Sequence, residues 1–309
     1  MTPRSCARPC AGTGSVVYPA DLDAVGLAIL AALLAGPAPT LLAAAGWPAR
    51  APRAALVLWQ AVGLAGGLAA IGALLSVGVG PSHEHLVRMD FRHSPVWRNV
   101  SFGLGCALAA WLLAVLAASF AGVLVERHRH RRIVDLVARP APDLGSLVLE
   151  HAVAIAYCVP GVRPRVVLTE ATLEVLADDE LAAVLAHERA HVRGRHDLVV
   201  QPFLAWQATF PFLRPAAVAT RAVALLVEML ADDAASRRTS RAAVAAALAR
   251  LGAARLPEGA LGAAASESAL VCRIRRLLDP PPALSRAAVM LVYVVGLALI
   301  AIPTVAVLR

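Results

Sequence analysis

The sequence predicts a mainly α-helical, polytopic membrane protein with about four transmembrane helices and one inserted domain that contains a small β-hairpin or sheet. Three observations lead there. The 309-residue chain is 59% hydrophobic with a mean hydropathy of +0.68, too apolar for an ordinary soluble protein. The excess is concentrated in four charge-free runs, residues 24–46, 54–80, 100–125 and 287–309 up to the final Arg309. Each matches the roughly 20 helical residues needed to cross a hydrocarbon core, and none has a polar face. Between the third and fourth runs lies a stretch of normal polarity, residues 126–286, which is an ordinary domain size.

Taken in order, residues 1–23 form a polar tail without periodicity. Asp21 and Asp23 directly before the first run favour a retained membrane helix over a cleaved leader, although Arg4 and Arg8 precede it. Pro37 and Pro39 kink or break the first span. Arginine then sets the orientation. Arg50 and Arg53, the segment Glu126-Arg127-His128-Arg129-His130-Arg131-Arg132, and Arg273, Arg275, Arg276 and Arg286 all fall on one side of the membrane. On the other side, Arg88, Arg92 and Arg98 are partly offset by Glu84 and Asp90. The positive-inside rule puts the inserted domain in the cytoplasm of a multi-pass cell-membrane protein.

All 29 basic residues are Arg, and the net charge is +8. No basic stripe with interleaved aromatics accompanies that charge, so direct nucleic-acid binding is not expected. Cys158 and Cys272 fall in the inserted domain as expected free thiols, and Cys106 lies in a span. Cys6 and Cys10 can pair only if the N-terminus faces an oxidising compartment.

Within the inserted domain, Leu144–Val153 reads as helix. The strand Ala154–Val159, the turn Pro160-Gly161 and the strand Arg165–Thr169 then read as a hairpin. A helix begins near Asp178, its expected N-cap, with Asp179 and Glu180 in the first turn and Gly194 at its end. Leu181, Val184, Leu185 and Val192 give that helix an apolar stripe. The stretch Gln201–Pro215 is aromatic and broken by proline, and packs between helices or lies against the bilayer. Arg221–Ala235 and residues 267–278 are helix, with a Gly/Ala/Ser linker around Pro257–Ser266.

The chemistry is concentrated in His187-Glu188-Arg189-Ala190-His191. Positions four apart on a helix share a face, so both imidazoles can reach one metal ion, with Glu188 beside it to take a proton from water. A hydrolytic zinc site needs a third protein ligand and an open position. Glu228 supplies that ligand, in Glu228-Met229-Leu230-Ala231-Asp232. Asp232, one turn on, can hydrogen-bond the free ring nitrogen of a ligand histidine; Asp233 is a rival whose helical position turns it away from the Glu228 face. The expected cofactor is Zn2+. The oxyanion stabiliser stays open among His196, His151, Tyr157 and Arg238. Gln60 and the loop residues His83, His85 and His93 are candidates for sensing a ligand or metal. The Arg165–Thr169 strand can hold substrate as an added edge strand.

Nearly the whole chain resembles the membrane metallopeptidases typified by the BlaR and MecR antirepressors. The resemblance rests on Ala156-Tyr157-Cys158-Val159-Pro160-Gly161, Val166–Thr169, Leu185–His191, His196-Asp197 and Glu228–Asp232. It implies a gluzincin-like zinc metallopeptidase domain with His187, His191 and Glu228 on the metal and Glu188 as base. It also implies cytoplasmic protein substrates, among them a paired winged-helix repressor. The antibiotic-sensing members continue into a penicillin-binding domain, whereas this chain ends with the fourth span, so sensing through an acylated serine is not expected. Two alternatives remain. One is a quality-control or prenyl-type membrane metalloprotease, which shares the HExxH and downstream ExxxD pattern. The other is a non-catalytic zinc-binding receptor or scaffold, against which Glu188 argues, because a structural site needs no base.

Overall fold

Proline shapes the first membrane element. In the computed structural model, which describes residues 19–79, 95–159, 161, 164–255 and 264–308, helix α1 (Pro19–Ala35) meets α2 (Pro37–Ala44) at a 41° bend. Pro37 has no N–H to continue the first helix. Gly36 fits the corner because a Cβ there would lie 2.9 Å from the Ala32 carbonyl oxygen. Helix α3 (Pro52–Val79) follows a short turn, then α4 (Pro95–Val137); α11 (Arg286–Leu308) closes the chain. Helices α3, α4 and α11 are long and apolar enough to cross a membrane, and the bent α1–α2 pair makes a fourth if counted as one span. The loop histidines 83, 85 and 93, and Cys6 and Cys10, lie outside the described residues.

The helix that carries the third apolar run does not stop at residue 125. Helix α4 runs unbroken for 43 residues because nothing between Glu126 and Val137 breaks it, with Pro140 the next proline. The expected juxtamembrane segment is therefore a helical extension of the span.

The inserted domain opens with a four-stranded sheet of order β1-β2-β4-β3: β1 (Arg139–Ala141), β2 (Ser146–Leu149), β3 (Ala156–Val159) and β4 (Arg165–Thr169). The hairpin is present: β3 and β4 pair antiparallel from Ala156 opposite Leu168 to Val159 opposite Arg165. The helix expected at 144–153 is not. Leu147-Val148-Leu149 is a short apolar run that periodicity cannot assign. Parallel pairing with β4 decides for strand, and Gly145, at φ 58°, turns the chain into it. Because β2 and β3 flank β4, the strand at Arg165–Thr169 is interior and cannot accept a substrate strand. That expectation is overturned: among the described residues the free edges belong to β1 and β3.

After the short α5 (Glu170–Val175) come α6 (Asp178–Gly194), α7 (His196–Thr209), α8 (Arg214–Ser236), α9 (Arg241–Arg255) and α10 (Ala264–Leu278), of which α6 and α9 pack on the sheet. One core joins β3, β4, α6 and α9 through Ala156, Leu168, Val184, Leu185, Ala247 and Leu251. Another crosses from domain to spans. Ala55, Leu56 and Trp59 of α3 are buried with Phe203 of α7 and Val223, Leu226, Val227 and Met229 of α8. Trp59 meets Phe203 edge-on, with ring centroids 6.4 Å apart. Of the aromatic stretch after residue 201, Phe203 and Trp206 thus pack between helices, whereas Phe212 is exposed. Gln60, expected as a sensing residue, is spent on structure: its amide donates to the Val199 carbonyl at 2.8 Å.

Candidate metal centre

Helix α6 presents the motif, and its two ends explain where it sits. The N-cap is Ala177, not Asp178. The Glu180 carboxylate accepts the Ala177 N–H at 2.9 Å, so the cap comes from inside the first turn and Asp178 becomes the first helical residue. Arg250 pairs with Glu180 at 2.9 Å and fixes it there. Three acids in that turn also suit the positive helix end. Ala183, Ala186 and Ala190 are buried and let α6 approach its neighbours closely. At the other end Arg195 is left-handed, φ 47°, and its N–H reaches back to the His191 and Val192 carbonyls.

His187 and His191 point Nε2 at each other, 3.0 Å apart. From α8, the Glu228 carboxylate straddles the pair: Oε2 lies 3.4 Å from His187 Nε2 and Oε1 lies 3.4 Å from His191 Nε2. The ligand atoms of these three residues all fall within 4.8 Å of one another. Two imidazole nitrogens and a carboxylate converging on one point form the donor set that zinc favours in catalytic sites, so the residues present fit that ion. Asp232, one turn beyond Glu228 and 1% exposed, brings Oδ1 to 3.0 Å from His187 Nδ1. The approach is close but off the N–H axis, so His187 Nδ1 lacks a well-aligned hydrogen bond. Asp233 instead pairs with Arg276 at 2.7 Å.

Charge dominates the site. Burial pushes the His187 pKa down, but the close carboxylates of Asp232 and Glu228 outweigh it and raise it to about 9. His191 goes the other way, to about 4. Burial lowers it most, His187, His196 and Arg273 add to that, and Glu228 only partly compensates. Burial would raise Glu228 and Asp232, yet both end at about 2: His187 and Arg273 hold Glu228 down, and Arg273 then His187 hold Asp232 down. Next to the motif helix sits the Cys158 thiol of β3. Burial, then the charges of Glu188 and Asp197, push its pKa up to about 12. Glu188 adjoins His187 on α6, the helix that packs against edge strand β3.

The oxyanion candidates separate. His151 accepts the Val153 N–H within its own loop, and the Tyr157 ring packs against His130 of α4. Arg238 follows the end of α8. His196 sits behind His191, Nδ1 to Nδ1 at 3.1 Å. Arg273 was not singled out by sequence reasoning. It donates twice to Asp232 and its third nitrogen lies 2.9 Å from Glu228 Oε2. A signal existed: on α10, Ile274 and Leu277 turn inward, and Arg273 and Arg276 share that side while Arg275 is exposed.

Residues 125–255 match the family model of peptidase family M48. That segment runs from the end of the third span through α9 and includes His187, Glu188, His191, Glu228 and Asp232. No curated protein and no solved structure matches the chain. A mostly helical framework, a small sheet, three to four membrane-length helices and a segment similar to the M48 peptidases thus describe the molecule. The match supports metallopeptidase activity and leaves the narrower antirepressor likeness as a proposal.

Proposed function

We propose that this protein is a membrane-embedded zinc metalloendopeptidase that hydrolyses peptide bonds of cytoplasmic proteins, with a transcriptional repressor of the winged-helix kind as its regulatory substrate. One observation carries the reading: the His187, His191 and Glu228 ligand atoms converge within 4.8 Å on the motif that also bears Glu188. Zinc held by these three residues would act as a Lewis acid, polarising the scissile carbonyl and acidifying water. Glu188 takes the proton from the attacking water on its carboxylate and returns it to the leaving amine nitrogen. Asp232 orients His187, and Arg273 holds both acids of α8 in place. Strand β3, which packs against the motif helix and has no outer strand neighbour among the described residues, is the edge we assign to a substrate chain.

The experiment pairs metal content with a Glu188→Gln variant. The purified full-length protein should contain zinc, and the Gln variant should keep the zinc while cleavage falls by roughly 10²–10⁴-fold, the usual worth of a positioned acid–base group. A wild-type protein without zinc, or a Gln variant that still cleaves, sinks the mechanism.

The second reading, a quality-control or prenyl-type membrane protease, shares this site. The core shared by α3, α7 and α8 favours it, because a site so joined to the spans suits substrates that arrive through the bilayer. Incubating the reconstituted protein with a soluble repressor and with a membrane-inserted substrate separates the two. Cytoplasmic orientation is tested by protease accessibility of the inserted domain in sealed vesicles.

A further inference from the structure

We propose that His196 is the positioning residue for His191, the partner that fixes which ring nitrogen of His191 faces the metal; the inference rests on the zinc reading above. A histidine that binds a metal through Nε2 must carry its proton on Nδ1, and that N–H needs an acceptor. His187 has a carboxylate for this purpose, Asp232. Among the described residues, His191 Nδ1 meets another imidazole rather than a carboxylate. Its Nδ1 lies 3.1 Å from His196 Nδ1, with the rings edge-on at 84° and centroids 4.8 Å apart. His191 Nδ1–H donates to the lone pair of His196 Nδ1, which leaves the His196 proton on Nε2.

The backbone is built around this contact. Helix α6 ends at Gly194, Arg195 takes a left-handed conformation, and α7 begins with His196 itself. The elbow folds the imidazole back over the glycine, where a Cβ would lie 2.2 Å from His196 Nε2 and 2.4 Å from Cδ2. The ring is only 9% exposed, so it occupies a made space rather than a solvent-facing one. Helix α7 is in turn tied to the spans. Gln60 of α3 donates to the Val199 carbonyl at 2.8 Å, and Arg127 of α4 pairs with Asp197 at 2.6 Å. The support behind one ligand histidine thus comes from α6 and α8, and behind the other from a helix fastened to the membrane segments.

The test measures zinc affinity of the full-length protein in detergent by chelator competition, together with the visible spectrum of the cobalt-substituted site. His196→Leu removes the acceptor. His196→Asn keeps one, because Oδ1 lies near the position of Nδ1. Gly194→Ala keeps the imidazole but displaces it. The Leu and Ala variants should bind zinc about 10–100-fold more weakly, the usual loss when such a partner is removed, and should shift the cobalt spectrum; Asn should restore most of both. Metal-free melting temperatures check folding, and a Leu variant that does not fold is replaced by the Asn and Ala pair. Wild-type protein that binds no zinc overturns the metalloprotease reading itself. Wild-type binding with no change in the Leu or Ala variant, or with equal loss in Leu and Asn, overturns the positioning role alone.

Discussion

Arg273 clasps Asp232 at two points: Nε donates to Oδ2 at 2.8 Å and a terminal nitrogen to Oδ1 at 2.7 Å. The remaining nitrogen is 2.9 Å from Glu228 Oε2, so one guanidinium from α10 serves both acids of α8. Two carboxylates one turn apart, Asp232 buried and Glu228 partly exposed, would repel each other; the planar fork neutralises them and sets their directions. Removing it leaves buried Asp232 with only His187 to offset its charge, against about 3–5 kcal/mol for a buried pair broken outright. Arg273→Leu should therefore lower the melting temperature sharply. Arg273→Lys should recover little, since a point charge cannot make the two-point contact. A Lys variant that melts like wild type would contradict this account.

The metal-free protein should be most stable near pH 6.5. His187, raised to about 9 from an ordinary value of 6.5, contributes stability that is full below 6.5 and is lost as pH rises through 9. His191, lowered to about 4, contributes stability that is full above 6.5 and is lost as pH falls towards 4. Glu228 and Asp232, both lowered to about 2 from 4.5 and 3.8, add a further loss between those values and 2. Melting temperature against pH should trace that peak. Zinc saturation should flatten its alkaline side, because the metal needs His187 deprotonated already.

Zinc should raise the melting temperature of the wild type and not that of Glu228→Ala. At a free concentration of 100 times its dissociation constant, a ligand specific to the folded state adds about 2.7 kcal/mol. With one of its three protein ligands gone, the Ala variant should show almost none of that shift. Differential scanning with and without a chelator reads it directly.

Gln60→Leu should loosen the junction between α3 and α7. The lost bond to Val199 is worth about 0.5–1.5 kcal/mol. Hydrogen exchange should quicken in α7 and leave α9 unchanged. Equal exchange in both helices would show that this bond does not hold α7 to the span.

The spans and the motif helix were legible because their signals are local. Charge-free length reads as a membrane helix, and an i, i+4 pair of histidines reads as a shared face. What failed depended on distant pairing. Leu147–Leu149 is strand only because β4 lies beside it, and β4 is interior only because β2 takes its other side. Arg273 lies 41 residues from Asp232 in sequence, among several arginines that membrane topology already accounts for. The family match shows the same division: it covers residues 125–255, which hold the motifs, and is silent on substrate.

Helix α4 works as a ruler. Its 43 residues give a rod about 65 Å long, twice the hydrocarbon thickness of about 30 Å. The projecting part is one wall of the inserted domain: Val134 is buried with Val159 and Val167 of the sheet, and Arg127 grips Asp197. With no joint between membrane and sheet, the catalytic domain cannot drift on a tether. Its height above the lipid is set by helical rise, and any turn of the span about its axis is a turn of the sheet by the same angle.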